Sequence, residues 1–316
     1  MKSFTISKND SGQRVDKFVL KTFPKLPKSL MYKEIRKKNI KVNKKRTEPS
    51  AVLNEGDVIE LYLKDDVLEE RAKHHDFMSA SKQLDIIFED ENIMLLNKKA
   101  GLLCHPDGNE YVDTLISRVK RYLFEKGEWD PDDSATFSPA LANRIDRNTS
   151  GIVIAAKNAE SLRILNEKIK SREIEKYYIT AVHGKPKKER DTLTAYLSKD
   201  EKKNKVTVSD REFEGSKKIV TEYRIIESRN NISLLEINLL TGRTHQIRAH
   251  LAHIGHPIVD DGKYGETHGR YRQALCSYKI VFNIKNAGIL DYLSGREFEI
   301  KDCDIVRNFK EKKYNE

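Results

Sequence analysis

The chain has 316 residues, a formal net charge of +10, a pI near 9.2 and 34% charged residues. Its length exceeds the usual single domain, so two are expected, and the excess of cations points to a polyanionic partner. No apolar run approaches the roughly 18 residues of a spanning helix, and Met1-Lys2-Ser3-Phe4-Thr5 lacks the apolar stretch of a secretory signal, so a monomeric cytoplasmic protein is expected.

From the amino terminus, Val15, Phe18 and Val19 have helical spacing, and a second helix is predicted from Ser29 to Lys38 with Leu30 and Ile35 as apolar anchors. Ile40 to Asn43 reads as a strand, Asn43-Lys44-Lys45 as a turn, and Asn54-Glu55-Gly56-Asp57 as a tight turn feeding the alternating strand Val58 to Leu63. Between Lys25 and Arg46 lie ten basic residues and one acid, Glu34, a local balance of +9. This segment resembles the α-L RNA-binding module first described in ribosomal protein S-four. The resemblance covers about 65 residues and implies that Lys33, Arg36, Lys37, Lys38, Lys41 and Lys44 meet an RNA backbone. Phosphate neutralisation of that kind is salt-dependent and mostly blind to sequence. From Asp65 to Glu91 the charge reverses, which suggests a solvated linker; the expected division is a small module over 1–64, a linker over 65–83 and a large module over 84–316.

In the large module, Leu84 to Lys98 reads as a hairpin with an acidic turn. Asn143-Arg144-Ile145-Asp146-Arg147-Asn148-Thr149-Ser150-Gly151 then sets one carboxylate between two arginines, directly before the apolar stretch Ile152 to Ala156. A polar loop entering a buried strand is a place where chemistry is often carried. A helix over Ser161 to Lys170 follows, with Asn158 as N-cap and Leu162, Leu165 and Ile169 on one face. The stretches Lys176 to Gly184, Ile219 to Ile225 and Ser233 to Leu239 are β-rich and joined by short polar turns, which favours an α+β fold with a mixed, largely antiparallel sheet.

Thr241 to Pro257 contains His245, His250, His253 and His256 in and around a helix that Gly255 caps and Pro257 keeps from continuing. The four histidines suggest a metal-dependent RNA hydrolase, but their spacing matches no zinc signature and the nearby carboxylates are only Asp260 and Asp261, so no metal is expected. Cys104, Cys276 and Cys303 are odd in number and far apart, and read as free thiols.

From Leu84 to Arg307 the chain resembles the RluA-type pseudouridine synthases. The family loop His-Arg-Leu-Asp-x-x-Thr-Ser-Gly is matched by Asn143 to Gly151, a Lys-x-Tyr strand by Lys176 and Tyr178, and Thr-Gly-Arg-Thr-His-Gln-Ile-Arg by Thr241 to Arg248 without change. Asn143 stands where histidine is usual, and the Leu-His-Ala element is Leu275-Cys276-Ser277. The resemblance implies isomerisation of uridine in RNA with no cofactor. It makes Asp146 the catalytic carboxylate, which attacks base or sugar or stabilises a sugar cation, Arg248 its ion-pair partner and Tyr178 the residue that stacks on uracil or moves a proton. It also implies that Arg144 fills the space of an everted base and that Leu275 packs against the target. Arg147 resembles the RluC-like branch, which implies large-subunit (23S) ribosomal RNA as substrate, with transfer RNA as the alternative. A non-catalytic RNA-binding factor would not need Asp146, Tyr178 and Arg248 together.

Overall fold

A computed structural model describes residues 1–63, 68, 75–108, 110, 112–132, 135–200, 205–265 and 272–314. The amino-terminal part comprises β1 (Lys2–Thr5), α1 (Val15–Thr22), α2 (Lys28–Arg36), β2 (Ile40–Val42), β3 (Lys45–Arg46) and β4 (Val58–Leu61), with its sheet ordered β1-β4-β2-β3. Val15, Phe18 and Val19 are fully buried, as their spacing predicts. On α2 the buried residues are Met31, Glu34 and Ile35, while Leu30 is only half-buried, because the helix starts at Lys28 and turns Met31 inward. Asn43 and Lys44 both have positive φ and close a two-residue hairpin between β2 and β3, a geometry that asparagine tolerates. Asn43 also ties this hairpin to the Gly-Asp turn: its Oδ1 accepts from Val58 N at 2.8 Å and its Nδ2 donates to Asp57 at 2.8 Å.

Of the expected linker, 65–67 and 69–74 lie outside the described residues. The remainder is not wholly solvated. Leu68 joins the small core, and Phe77 packs on Phe124 and Trp129 with ring centroids 5.6 and 5.3 Å away, so two apolar anchors interrupt the acidic run.

The larger part comprises β5 (Ile86–Glu89), β6 (Ile93–Lys98), α3 (Leu115–Glu125), β7 (Ala140–Leu141), β8 (Ser150–Ala156), α4 (Ala159–Lys170) and β9 (Ile174–His183). It continues with β10 (Arg190–Asp200), β11 (Lys205–Ser209), β12 (Lys217–Arg229), β13 (Ile232–Asn238), α5 (Gln246–His253), β14 (Leu275–Phe282), β15 (Glu297–Glu299) and α6 (Asp304–Lys310). These strands form one mixed sheet along β11-β10-β12-β13-β9-β14-β8-β6-β5, with β15 on β14 and β7 on β8. Pairing is antiparallel among the described residues except between β14 and β8. Both faces are covered: Val153 and Ala155 of β8 enter one apolar cluster, and Ile152, Ile154 and Ala156 enter the other. α4 covers the second face through the fully buried Leu165, and its first turn is capped by Asn158, whose Oδ1 accepts from Ser161 N at 2.8 Å. A cap of this kind contributes about 1 kcal/mol. Leu162 and Ile169 are only half-buried.

The parallel contact determines how the Asp146 loop enters the sheet. Ser150 pairs with Cys276 and Gly151 with Ser277. Gly151 has φ +115°, and a β-carbon there would fall on the Ser277 backbone. Only glycine permits this approach.

Candidate active site

The loop before β8, the middle of β9, the start of β14 and the first turn of α5 converge on a cleft of about 320 Å³. Its walls include Arg144, Asp146, Tyr178, His245, Arg248 and Leu275. All five cleft residues expected from sequence therefore meet in one place. The six basic residues Lys33, Arg36, Lys37, Lys38, Lys41 and Lys44 do not line it. They lie on α2, β2 and the adjoining turns, with all but Lys41 exposed, and the Lys41 ammonium sits 5.0 Å from the centre of the Tyr62 ring.

Arg248 organises the charge. Its Nε and Nη2 donate to the two oxygens of Asp261 at 2.8 Å each, and its Nη1 donates to Asp146 Oδ2 at 2.9 Å. Such a fork fixes the plane of the guanidinium, and the Asp146 carboxylate meets a cation whose direction is already set. Burial opposes charge on Arg248, yet the hydrogen bonds and field of Asp261, with those of Asp146, outweigh it and raise its pKa. Asp261 is likewise opposed by burial and is held below the ordinary carboxylate range by Arg248 and by the Lys263 and Tyr264 amides. From sequence Asp261 stands only as a possible metal ligand; its position 13 residues beyond Arg248 carries no local signal of this pairing.

His245, in a left-handed conformation at the start of α5, lies 3.9 Å from Asp146. Burial pulls its pKa down to about 4, so the imidazole is neutral at pH 7. Its Nδ1 shares a 2.9 Å hydrogen bond with the Tyr264 hydroxyl, and the Arg248 guanidinium stacks 5.3 Å from the centre of that ring. The other three histidines turn to separate partners: His250 to Thr221, His253 to Asp210 and His256 to the His183 carbonyl. They do not form a metal cluster among the described residues, where the compact ligand group is His75, Asp130 and Asp132 instead.

Tyr178 is 5% exposed and belongs both to the core and to the cleft wall. Burial pushes its hydroxyl well above the ordinary value, so it is a neutral phenol. Arg144 is exposed and forms no ion pair among the described residues, while Leu275 is buried at the base of β14. The cysteines are free, as their number and spacing suggest, and all three are buried.

The loop around Asp146 is clamped by a residue that the sequence pattern marks only as a strand end. Lys98, 1% exposed, donates from Nζ to the carbonyls of Lys99, Leu102 and Arg147 at 3.0, 2.8 and 2.9 Å. Burial lowers its pKa to about 8, against the raising fields of Cys104, Asp146 and Cys276. Arg147 itself turns away from the cleft and donates from Nε to the Gly101 carbonyl at 3.0 Å. On the far side of the loop Gln273 donates to Thr149 Oγ1 at 2.9 Å. Asn143, at the first departure from the family pattern, accepts from Ile154 N at 2.8 Å and so helps join the loop to β8.

Residues 92–253 match the RNA pseudouridylate synthase family. An RNA pseudouridine synthase of Mycoplasma capricolum, described as uncharacterized, is 34% identical over 97% of this chain and 99% of its own length. The ribosomal large subunit pseudouridine synthase C of Haemophilus influenzae is 32% identical over 84% of this chain and 80% of its own. Among solved structures, human RNA pseudouridylate synthase domain containing 4 covers 72% of this chain and 92% of its own at 19% identity with a TM-score of 0.56, a likeness of fold. No described helix is long and apolar enough to cross a membrane. The matched segment holds the Asp146 loop, the Tyr178 strand and the Arg248 helix, and with relatives of this identity along most of its length the chain belongs to the RNA pseudouridine synthases, isomerases of uridine in RNA.

Proposed function

We propose that this enzyme isomerises uridines of large-subunit ribosomal RNA, with Asp146 as the catalytic carboxylate and the amino-terminal module of residues 1–64, of the α-L type, as the part that docks on the RNA backbone. The observation that carries the catalytic assignment is the shared guanidinium. Arg248 is committed on two sides to the buried Asp261 and presents its remaining nitrogen to Asp146 at the cleft. Preorganised charge of this kind costs no reorganisation during reaction.

The reaction breaks the bond from C1′ to N1, turns the uracil, forms the bond from C1′ to C5, loses the proton of C5 and gains one at N1, so that the product is an isomer of the substrate. Asp146 serves the first stage, as nucleophile to sugar or base or as partner of the sugar cation. Tyr178, a neutral phenol walled into β9, offers its ring face to the uracil, a use that its raised pKa favours over proton abstraction. Helical RNA presents no base edge of this kind until the nucleotide is everted. Arg144, exposed at the cleft and without an ion-pair partner among the described residues, fills the gap left in the stack. Leu275, diagonal to Tyr178 on the adjacent strand β14, packs against the base beside it. The choice of ribosomal RNA is supported by the names of relatives such as the Haemophilus influenzae enzyme and by the basic module.

The test is Asp146→Ala assayed on large-subunit RNA for pseudouridine and for binding. Loss of product with retained affinity is expected. Unchanged modification overturns the catalytic assignment, and wild-type product confined to transfer RNA overturns the substrate.

A further inference from the structure

The loop joining β1 to α1, residues Ser7 to Gln13, has no part in the basic face or in the cleft, yet it carries a dense set of long-range hydrogen bonds. Asp10 is 2% exposed. Its Oδ1 accepts from Thr136 N at 2.9 Å and Thr136 Oγ1 at 2.6 Å, and its Oδ2 accepts from Ala135 N at 3.1 Å and Ser7 Oγ at 2.9 Å. Gln13 Nε2 donates to Thr136 Oγ1 at 2.7 Å. A second group of contacts reaches α4: Asn9 Oδ1 accepts from Ala159 N at 3.2 Å, and Arg163 Nη1 donates to the Ser11 carbonyl at 3.1 Å. Gly12, φ +70°, lies so close to Arg163 that a β-carbon would come within 2.7 Å of Nη2. Ala135 packs against the apolar cluster of the small module.

The two gripped segments flank the catalytic loop. Residues 135 and 136 lead into β7 and the Asp146 loop, and Ala159 and Arg163 belong to the helix that follows β8. A carboxylate removed from water is retained only where donors replace its hydration, and among the described residues the donors to Asp10 include three groups of the other module, the Ala135 and Thr136 amides and the Thr136 hydroxyl.

We propose that Asp10 is the pin of a latch that fixes the basic module in one orientation against the stems of the Asp146 loop, so that an RNA held by the module is presented in register to the cleft. Asp10 is thus a positioning residue for long, structured RNA. This rests on the reading of the basic module as the RNA-docking part. With the latch open, the module remains tethered by the chain but loses its fixed orientation, and the effective concentration of the target nucleotide at the cleft falls.

Asp10→Ala and, as a near-isosteric second variant that removes the shared hydroxyl, Thr136→Val are compared with wild type on two substrates. One is full-length large-subunit ribosomal RNA; the other is a short hairpin around a uridine that the wild type modifies. On the full-length RNA kcat/KM is expected to fall about tenfold, through KM, with no change on the hairpin. Asp10→Asn, which keeps an acceptor for the Thr136 amide, recovers part of the loss. Small-angle scattering on the free proteins is expected to give a larger radius of gyration for Asp10→Ala and Thr136→Val. An unchanged radius, or an equal fall on both substrates, overturns the latch. If wild type yields no pseudouridine in large-subunit RNA, the substrate reading fails, and the radius alone then decides the latch.

Discussion

Replacing Asp261 by alanine tests whether the cleft is held from behind. The Asp261 side chain is fully buried and makes two of the three hydrogen bonds that orient the Arg248 guanidinium, which is itself 7% exposed. Removing one partner of a buried ion pair costs about 3–5 kcal/mol, because the remaining charge stays out of water. For a folded unit of this size that corresponds to a fall in Tm of roughly 6–20 °C. The effect on catalysis is separate. Arg248 keeps only its 2.9 Å bond to Asp146, and a guanidinium held at one point can pivot. A displacement of about 1 Å at a reacting group costs on the order of 10²-fold, so kcat on large-subunit RNA is expected to fall by about that factor at temperatures where circular dichroism shows the variant folded. RNA affinity, which the proposed reading assigns to the basic module, is expected to remain. A folded Asp261→Ala enzyme with wild-type kcat refutes a positioning role for this carboxylate behind the Arg248–Asp146 pair.

Other consequences follow from the same geometry. Tyr178→Ala should weaken use of substrate by about 1–3 kcal/mol, the worth of one base stacked on an aromatic ring, whereas Tyr178→Phe retains most of the activity; a Phe variant as poor as the Ala variant would assign the chemistry to the hydroxyl. Changing Lys37, Lys38 and Lys44 together to alanine should reduce RNA affinity and flatten its salt dependence by roughly 0.7–0.9 in log–log slope for each phosphate that is no longer neutralised, read by filter binding across a salt series, with kcat at saturating RNA unchanged. Lys98→Met exposes a pH effect. The pKa of Lys98 in the fold, about 8, lies below the ordinary lysine value of 10.5, so the unfolded chain binds more protons between those limits and the contribution of Lys98 to stability rises with pH across that window, by up to roughly 3 kcal/mol. Denaturant melts of wild type and Lys98→Met at pH 7.5 and 10 should therefore diverge in favour of wild type at the higher pH, and parallel curves would exclude it.

Sequence alone reveals what is encoded within a few residues. The Asp146 loop, the Asn158 cap and the Gly255 helix end each depend on short-range chemistry, and the placing of Asp146, Tyr178 and Arg248 at one cleft follows from motifs in the right order. α3 escapes the sequence reading although Thr114 caps it and Leu115, Val119 and Leu123 repeat every four residues, because its narrow apolar stripe is interrupted by Arg118, Lys120 and Arg121. Asp261, Lys98 and Asp10 escape it for a different reason. Each has a partner beyond the reach of local pattern, Arg248 for Asp261, Arg147 for Lys98 and Thr136 for Asp10, and a buried charge can be assigned only once the fold shows what surrounds it.

Those three residues also show how the loop at the cleft can be rigid without being covered. Asp146 is only partly shielded, with 27% of its side chain exposed, as access of a nucleotide under the proposed function requires. Its neighbours supply the constraint: Cys104 donates to the Ile145 carbonyl at 3.4 Å, Lys98 and the Gly101 amide both bind the Arg147 carbonyl, and the Thr149 amide closes on the Asp146 carbonyl at 3.1 Å. The backbone on either side of the carboxylate is thus fixed largely by groups that do not line the cleft, Lys98, Gly101 and Cys104, while Gly151 brings the strand beneath it into contact with β14. On the proposed function, a pocket that admits an everted base cannot be closed over its acid, so its order comes from below and from the sides, where sheet, buried lysine and paired arginine bear on the same few residues.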